Sequence, residues 1–193
     1  MTGQDSWPQV EVTSVDELRA WLAEHHDTLE RAWLITWKKA DRDRHVSYEE
    51  LVRQLLCFSW IDSTARSVDD QRTGLLIARR RPKSGWSRPN KVRVAELIEA
   101  GLMQPAGQAA IDQAKASGAW TSLDDIENLV EPDDLRAALD ANPSARSHWD
   151  DFPRSAKRSI LVWVGDAKRT ETRTKRILET VELAADNVRA HQS

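Results

Sequence analysis

Residues 60–80 read WIDSTARSVDDQRTGLLIARR, and this stretch decides the fold. The segments Trp60–Val68 and Thr73–Arg80 are predicted to be strands, because β-branched, aromatic and aliphatic residues favour a pleated, half-buried surface. Asp69-Asp70-Gln71 between them is typical of a tight turn. The two segments are therefore predicted to pair as an antiparallel hairpin.

A third strand and several helices flank this hairpin in the sequence. Trp33–Lys38 is rich in aromatic and β-branched residues and is predicted to join the same antiparallel sheet. Residues 1–12 look like a polar lead-in. Ser47 and Glu50 have the spacing of a capping box, which predicts the start of a helix.

The C-terminal part is predicted to be helical, because apolar residues recur at helical spacing from about Thr121 onward. Residues 122–151 contain nine acids against two bases, and residues 152–176 contain eight bases against two acids. This segregation is typical of neighbouring helices with attracting faces. We predict an α+β fold, with a small antiparallel sheet and flanking helices in residues 13–120. An all-helical segment, residues 121–191, is expected to pack on that domain.

The composition is that of a globular protein, with 193 residues, 40% hydrophobic residues and nine tryptophans. A net charge of −3 argues against generic nucleic-acid binding, although a local basic face could still contact phosphates. The single cysteine, Cys57, excludes an internal disulfide and fits a reducing compartment. No apolar signal region is present in Met1–Val10, and no window approaches the roughly 18 apolar residues of a membrane span. We expect a cytoplasmic protein without membrane insertion.

A cationic cluster follows the hairpin. The stretch Arg79–Arg93 contains seven Lys or Arg residues and no carboxylate. Because like charges repel, this surplus is expected to face something negative, either a bound anion or the acidic residues 122–151. Loop amides, the hydroxyls of Ser84 and Ser87 and a helix N-terminus can form an anion cradle. The alternative is that Ser87 only caps the helix that begins near Asn90.

Asp62 is the candidate acidic residue of this region. It follows Trp60 in a strand, and alternation would place Trp60, Asp62 and Arg66 on one face. A buried carboxylate needs a partner, and Arg66 or Arg80 is the natural candidate. The pair either locks the hairpin to the basic loop or lines a pocket in which Asp62 accepts a hydrogen bond from a ligand.

The aromatic and sulfur side chains have structural alternatives. Trp60 and Trp86 can stack on a planar ligand or fill the core; the core is favoured for Trp60, and both interpretations stay open for Trp86. Cys57 has apolar neighbours and is predicted to be a buried thiol rather than a nucleophile. The five histidines lack ligand spacing, so we expect no metal and no other cofactor.

The predicted ligand-binding residues are Trp60, Asp62, Arg80, Lys83, Ser84, Trp86, Ser87, Asn90 and Lys91. No catalytic residue and no metal ligand is assigned.

Four motifs resemble those of the YdeI/OmpD-associated (OmdA-like) family, also described as bacteriocin-protection proteins. The family's Cys-Phe-Gly-Trp-Ile-Asp motif is similar to residues 57–62, and its Ser-x-Trp-Ser…Asn-Lys motif to residues 79–91. Its Gly-x-Met-x-Pro-Ala-Gly signature is similar to residues 101–107, and its C-terminal segment to residues 132–173. The resemblance covers the chain from about Leu18 to Asn187.

Two residues depart from these motifs. Ser59 replaces the glycine of the first motif, and Arg79 replaces the proline that usually precedes the matched Arg80. If that glycine allows a ligand or backbone to approach closely, the serine changes the contact here.

The resemblance implies a link to bacteriocin protection and stress survival without a defined reaction. Together with the basic loop, it favours a non-catalytic protein that binds an anionic small molecule or protein partner through Asp62, Arg80 and Trp86. One alternative is an uncharacterised enzyme that acts on a phosphorylated or nucleotide-like substrate, with Asp62 as the base. Another is a nucleic-acid-binding module.

Overall fold

The computed structural model describes residues 7–191 and divides the chain into two compact units, the first ending at Ser122 and the second beginning at Leu123. The strands of the first unit are β1 (Gln9–Glu11), β2 (Arg31–Trp37), β3 (Trp60–Ser67) and β4 (Arg72–Arg79). Its helices are α1 (Val15–His25), α2 (Tyr48–Cys57), α3 (Arg88–Glu99) and α4 (Pro105–Ser117). The second unit contains α5 (Asp124–Glu127), α6 (Asp133–Asp140), α7 (Pro143–Asp151), α8 (Arg154–Gly165) and α9 (Thr170–Ala185).

The four strands form one sheet in the order β1-β2-β4-β3. The three predicted strands and the antiparallel pairing of β3 with β4 are confirmed, and β2 also pairs antiparallel with β4. β1 pairs parallel with β2, with Val10 opposite Leu34. The prediction of a polar lead-in was therefore wrong for Gln9–Glu11, because three residues with a single apolar side chain carry no periodic signal. The α+β class, with a helical C-terminal part, is confirmed.

The sheet has an inner face that belongs to the core and an outer face that carries the groove described below. Opposed residues share a face, so the pairs Leu34–Leu75 and Ala32–Ile77 define the inner face, which is fully or nearly fully buried. This face packs in one cluster with side chains of all four helices, including Leu18, Leu55, Leu97 and Ile111.

A β-bulge reverses the alternation of side chains within β3. Asp62 lies opposite Ile77, but Leu75 lies opposite Ala65, so β3 contains one extra residue between the two pairs. Asp62 is consequently on the inner side of the sheet, and Arg66, opposite Gly74, is on the outer side. The prediction that Asp62 and Arg66 share a face was therefore wrong.

Local signals account for the helix ends. The capping box of Ser47 and Glu50 is present, and the Ser14 hydroxyl caps α1. Gly107 sits where α4 approaches the end of α2, and a Cβ at this position would lie 2.4 Å from the Cys57 carbonyl oxygen. Such a contact is impossible without backbone movement, so the glycine of the Gly101–Gly107 signature has a packing role.

The second unit has its own core, built around Leu135, Leu139, Trp149, Ile160 and Val164. Its acidic and basic segments are joined by ion pairs: Glu127 accepts from Arg158 at 2.9 Å, and Asp134 forms two hydrogen bonds with Arg173. These contacts confirm that oppositely charged helices are neighbours. Within residues 7–191, no helix is long and apolar enough to cross a membrane.

Candidate anion-binding site

A groove of about 570 Å³ lies on the outer face of the sheet, beside the loop that follows β4. The residues of its floor are brought together by the pairing register of the strands. Arg31, Ala78 and Ile61 lie side by side on β2, β4 and β3, and Leu76 follows two residues further along β4. The floor is thus mostly aliphatic, and Ser63 of β3 is its polar member, with a hydroxyl that donates to the Leu76 carbonyl at 3.4 Å.

Four arginines line the end of the groove at the close of β4: Arg31, Arg79, Arg80 and Arg81. Glu30 is the only acidic residue among the described residues that line it. The Arg31 guanidinium lies 4.8 Å from the centre of the Trp7 ring, and Arg79 Nη2 donates to the Leu29 carbonyl at 3.1 Å. Arg81 is exposed. The groove is therefore strongly cationic at this end.

The partly buried Arg80 side chain contacts three residues of the loop that follows β4. Its guanidinium stacks on Trp86 at 3.8 Å, and Nη2 donates to the carbonyl oxygens of Gly85 at 2.5 Å and Ser84 at 3.3 Å. Nε is buried and has no hydrogen-bond partner within residues 7–191. Burial lowers the pKa of Arg80 to about 10, which still leaves it charged at neutral pH. Arg80 is thus a loop-organising residue as well as part of the groove wall.

Both tryptophans of the predicted site belong to the core. Trp60 is 0% exposed and Trp86 is 1% exposed. Trp60 Nε1 donates to the His26 carbonyl at 3.1 Å, while Trp86 packs on Trp120 with ring centres 5.0 Å apart. A ligand cannot stack on either indole without displacing these neighbours, so the core interpretation holds for Trp86 as well as Trp60.

Asp62 forms no ion pair with an arginine of the described residues, 7–191. Its carboxylate accepts a hydrogen bond of 2.8 Å from the hydroxyl of Tyr48, the first residue of α2. Arg66 lies across the sheet, over the Trp33 ring at 3.9 Å, and Arg80 is engaged by its own loop. The predicted ion pair was wrong because the bulge and the position of α2 give Asp62 a different neighbour. Partial desolvation, then the hydrogen bond to Asp62, raises the pKa of Tyr48.

The remaining predicted site residues are dispersed. Ser84 lines the groove, whereas Lys83 is exposed in the same loop and does not line it. Ser87 occupies the N-cap position of α3, but its side chain makes no capping hydrogen bond to the described residues. Lys91 Nζ lies 5.4 Å from the Trp120 ring centre.

Asn90 belongs to a separate polar cluster. Its Oδ1 accepts from Arg93 Nη1 at 2.9 Å, and Arg93 also donates to both carboxylate oxygens of Glu49, with Nη2 to Oε2 at 2.6 Å. This contact supplies an acidic partner from α2 to one arginine of the cationic stretch.

Two family models match separate parts of the chain. Residues 10–110 match the model described as Domain of unknown function (DUF8412), which covers more than half of the sequence. The chain belongs to this family. Residues 128–187 match the model described as Bacteriocin-protection, YdeI or OmpD-Associated. Neither a curated protein nor a solved structure matches the chain.

The resemblance to the YdeI/OmpD-associated family is confirmed for the C-terminal segment, over a shorter range than expected. The motifs at residues 57–62 and 79–91 and most of the described N-terminal unit lie within the DUF8412 domain instead. Every described residue that lines the groove lies between Glu30 and Ser84, within the part of the chain that matches the DUF8412 model.

The serine at the glycine position of residues 57–62, which lie within the DUF8412 match, has a backbone explanation. Ser59 adopts φ 62°, in the left-handed region that favours glycine, and its carbonyl accepts from the Arg80 amide at 2.8 Å. Cys57 is fully buried, and burial raises the pKa of its thiol, as expected for a structural cysteine. Within residues 7–191, no group of three or more His, Cys, Asp or Glu side chains could hold a metal ion.

Of the predicted ligand-binding residues, only Arg80 and Ser84 line the groove. Sequence reasoning missed its other polar and charged lining residues, which are Glu30, Arg31, Ser63, Arg79 and Arg81. Arg31 reaches the cationic cluster only because β2 pairs with β4 and sets Arg31 opposite Ala78. The predicted strand began at Trp33, two residues after the observed start of β2 at Arg31, so pairing the predicted strands would not have placed Arg31 in the sheet.

Proposed function

We propose that the DUF8412 domain binds a small anion in the outer groove of its sheet. The observation that carries this proposal is that Arg31, Arg79 and Arg81 line one end of a pocket in which Glu30 is the sole acidic lining residue of the described chain. An indole ring and a carbonyl oxygen contact Arg31 and Arg79. The ring and the carbonyl hold the two guanidinium groups in position but carry no net negative charge, so the positive potential at the groove is not cancelled by them.

The same side chains support binding rather than turnover. Guanidinium groups hold carboxylates and phosphates through charge-assisted hydrogen bonds, and they stay protonated at neutral pH. Asp62, the candidate base of the enzymatic alternative, lies on the inner side of the sheet and is bonded to Tyr48. The groove therefore has side chains suited to binding an anion, whereas the candidate base Asp62 does not line it.

Titration of the full chain with inorganic phosphate and sulfate tests this proposal, with calorimetry and tryptophan fluorescence as readouts. We expect saturable binding that Arg81→Gln weakens by about 1.5 kcal/mol, roughly tenfold, as for a lost charge-assisted hydrogen bond. Arg31→Gln should act in the same direction.

Lys83→Gln is the matched control, because Lys83 is exposed in the same loop but does not line the groove. It removes the same formal charge and should change affinity by less than about threefold at 0.15 M salt, since screening weakens distant charges. An equal loss in Lys83→Gln and Arg81→Gln would refute a specific site, and so would the absence of saturable binding.

A second candidate function, protection against a bacteriocin, is supported by the match of residues 128–187 to the family of that name. We expect cells that express the full chain to survive a bacteriocin challenge better than cells that carry an empty vector. The Arg31→Gln/Arg81→Gln double variant shows whether the groove takes part. Equal survival with and without the chain, across a panel of bacteriocins, would count against this function.

A further inference from the structure

The groove is cationic at one end and aliphatic along its floor. Arg79 and Arg81 lie at and beyond the end of β4, and Arg31 lies beside Ala78 in the last row of the sheet. Away from that end, the groove is lined by Ile61, Ala78 and Leu76, and by Ser63, whose hydroxyl donates to the Leu76 carbonyl. A bare inorganic anion would use the first part and leave the second in contact with water.

The dimensions of the aliphatic floor follow from sheet geometry. Two residues along β4, from Ala78 to Leu76, span about 7 Å, and neighbouring strands lie about 4.8 Å apart. This area matches one aromatic ring or a chain of about six carbons. The groove volume of about 570 Å³ is within the range of small-molecule sites.

The charged end favours phosphate over carboxylate. Arg31, Arg79 and Arg81 line that end of the groove, and Ser84 lines it as well. A phosphate monoester carries close to two negative charges at neutral pH and three terminal oxygens, so it can engage several guanidinium groups at once. A carboxylate has one charge and two oxygens and would leave part of this set unused.

We propose that the ligand is a phosphate monoester of a small apolar body, an aryl group or an alkyl chain of about six carbons. The phosphate lies against Arg31, Arg79 and Arg81, and the body lies on Ile61, Ala78 and Leu76. This inference rests on the proposed anion-binding function and adds the chemical class of the ligand.

Calorimetry on the full chain with four probes tests the inference: inorganic phosphate, n-hexyl phosphate, hexanoate and n-hexanol. Each methylene removed from water tightens binding roughly fourfold, and we expect two or three to be covered. Hexyl phosphate should therefore bind roughly 15- to 60-fold more tightly than phosphate. Hexanoate should be weaker than hexyl phosphate, and hexanol should show no saturable binding.

Two variants separate the ends of the groove. Leu76→Asn should abolish most of the advantage of hexyl phosphate over phosphate and leave the affinity for phosphate unchanged. Arg81→Gln should weaken both. Val92→Asn is the matched control, because Val92 is an exposed apolar residue on α3 that does not line the groove.

The possible results are distinguishable. If phosphate binds through Arg81 but hexyl phosphate gains nothing, the ligand class is wrong and the anion-binding function stands. A hexanoate affinity equal to that of hexyl phosphate would refute the assignment of phosphate. If Leu76→Asn does not reduce the advantage of hexyl phosphate over phosphate, the hexyl group binds elsewhere and the inference is overturned. No saturable binding by any probe would overturn the proposed function itself.

Discussion

Arg146 and Arg173 of the helical unit face carboxylates, whereas Arg31, Arg79 and Arg80 of the groove face indole rings or carbonyl oxygens. Arg146 donates to both oxygens of Glu131, at 2.7 and 2.8 Å, and also contacts Asp150. Arg173 forms a similar two-point contact with Asp134, at 2.6 and 2.8 Å. In these pairs each cation is neutralised by the fold itself.

In the groove, the contacts that Arg31, Arg79 and Arg80 make with residues 7–191 are to uncharged groups. Arg80 stacks on Trp86 and donates to carbonyl oxygens, and Arg31 stacks on Trp7. Rings and carbonyls stabilise a guanidinium through their dipoles and quadrupoles but leave its unit charge in place. The comparison teaches that the number of basic residues does not identify a binding site. The nature of their partners does.

Arg146→Ala should produce the largest loss of stability in this comparison. The substitution leaves Glu131, whose side chain is 18% exposed, without its cation, and removing one partner of a largely buried pair is strongly destabilising. We expect the free energy of unfolding to fall by about 3 kcal/mol, measured by urea denaturation.

Arg169→Ala is the control for this measurement. Arg169 is exposed at the start of α9, and its removal should change stability by less than about 0.5 kcal/mol. A similar small effect for Arg146→Ala would show that the carboxylate cluster does not hold the unit together.

Arg80→Ala should also destabilise, by about 2 kcal/mol, because it removes a stacked guanidinium and two hydrogen bonds to carbonyl oxygens. Arg81→Ala should leave unfolding within about 0.5 kcal/mol of the wild type and act on anion affinity instead. The opposite pattern, in which Arg80→Ala keeps full stability and loses anion binding, would make Arg80 the principal ligand contact and contradict the structural role.

The stability losses caused by Arg146→Ala and by Arg80→Ala should depend differently on pH. Hydrogen bonds from Arg146 lower the pKa of Glu131 and of Asp150 from ordinary values of 4.5 and 3.8. A lowered folded pKa means that the stabilisation is complete above the ordinary values and is lost as the pH falls through the folded ones. The stability difference between wild type and Arg146→Ala should therefore shrink by about 1–2 kcal/mol between pH 6 and pH 3.

The effect of Arg80→Ala should stay constant over the same pH range, because indole rings and carbonyl oxygens do not titrate there. Urea denaturation of the three proteins at pH 6, 4.5 and 3 supplies both differences. Parallel loss of the Arg80 and Arg146 effects on acidification would mean that a carboxylate also neutralises Arg80.

Ser59→Gly should give the smallest effect and the opposite sign. A non-glycine residue at φ 62° is strained, so glycine should stabilise the protein by about 0.5–1 kcal/mol. Affinity for phosphate should not change, because Ser59 does not line the outer groove. A destabilised Ser59→Gly protein would show that the hydroxyl makes a stabilising contact that outweighs the backbone strain.

The parts of the fold that could be predicted are those with local signals. The β3–β4 hairpin was predictable from two apolar runs and a turn sequence, and the start of α2 from Ser47 and Glu50. β1 could not be found in this way, because a short strand is stabilised by the neighbour that it joins. Arg66 was placed on the wrong face because a bulge is decided by cross-strand pairing.

Sequence alone determined that this protein is an α+β chain with a helical C-terminal part and a surplus of cations after β4. Tertiary structure alone decided which of those cations are structural and which line a groove. It also made the Tyr48 hydroxyl, and not an arginine, the hydrogen-bond partner of Asp62. The physical reason is the range of the interactions. Backbone propensities and caps depend on residues a few positions apart, whereas the partner of a charged side chain depends on strand register and helix packing, which join residues as distant as Arg31 and Ala78.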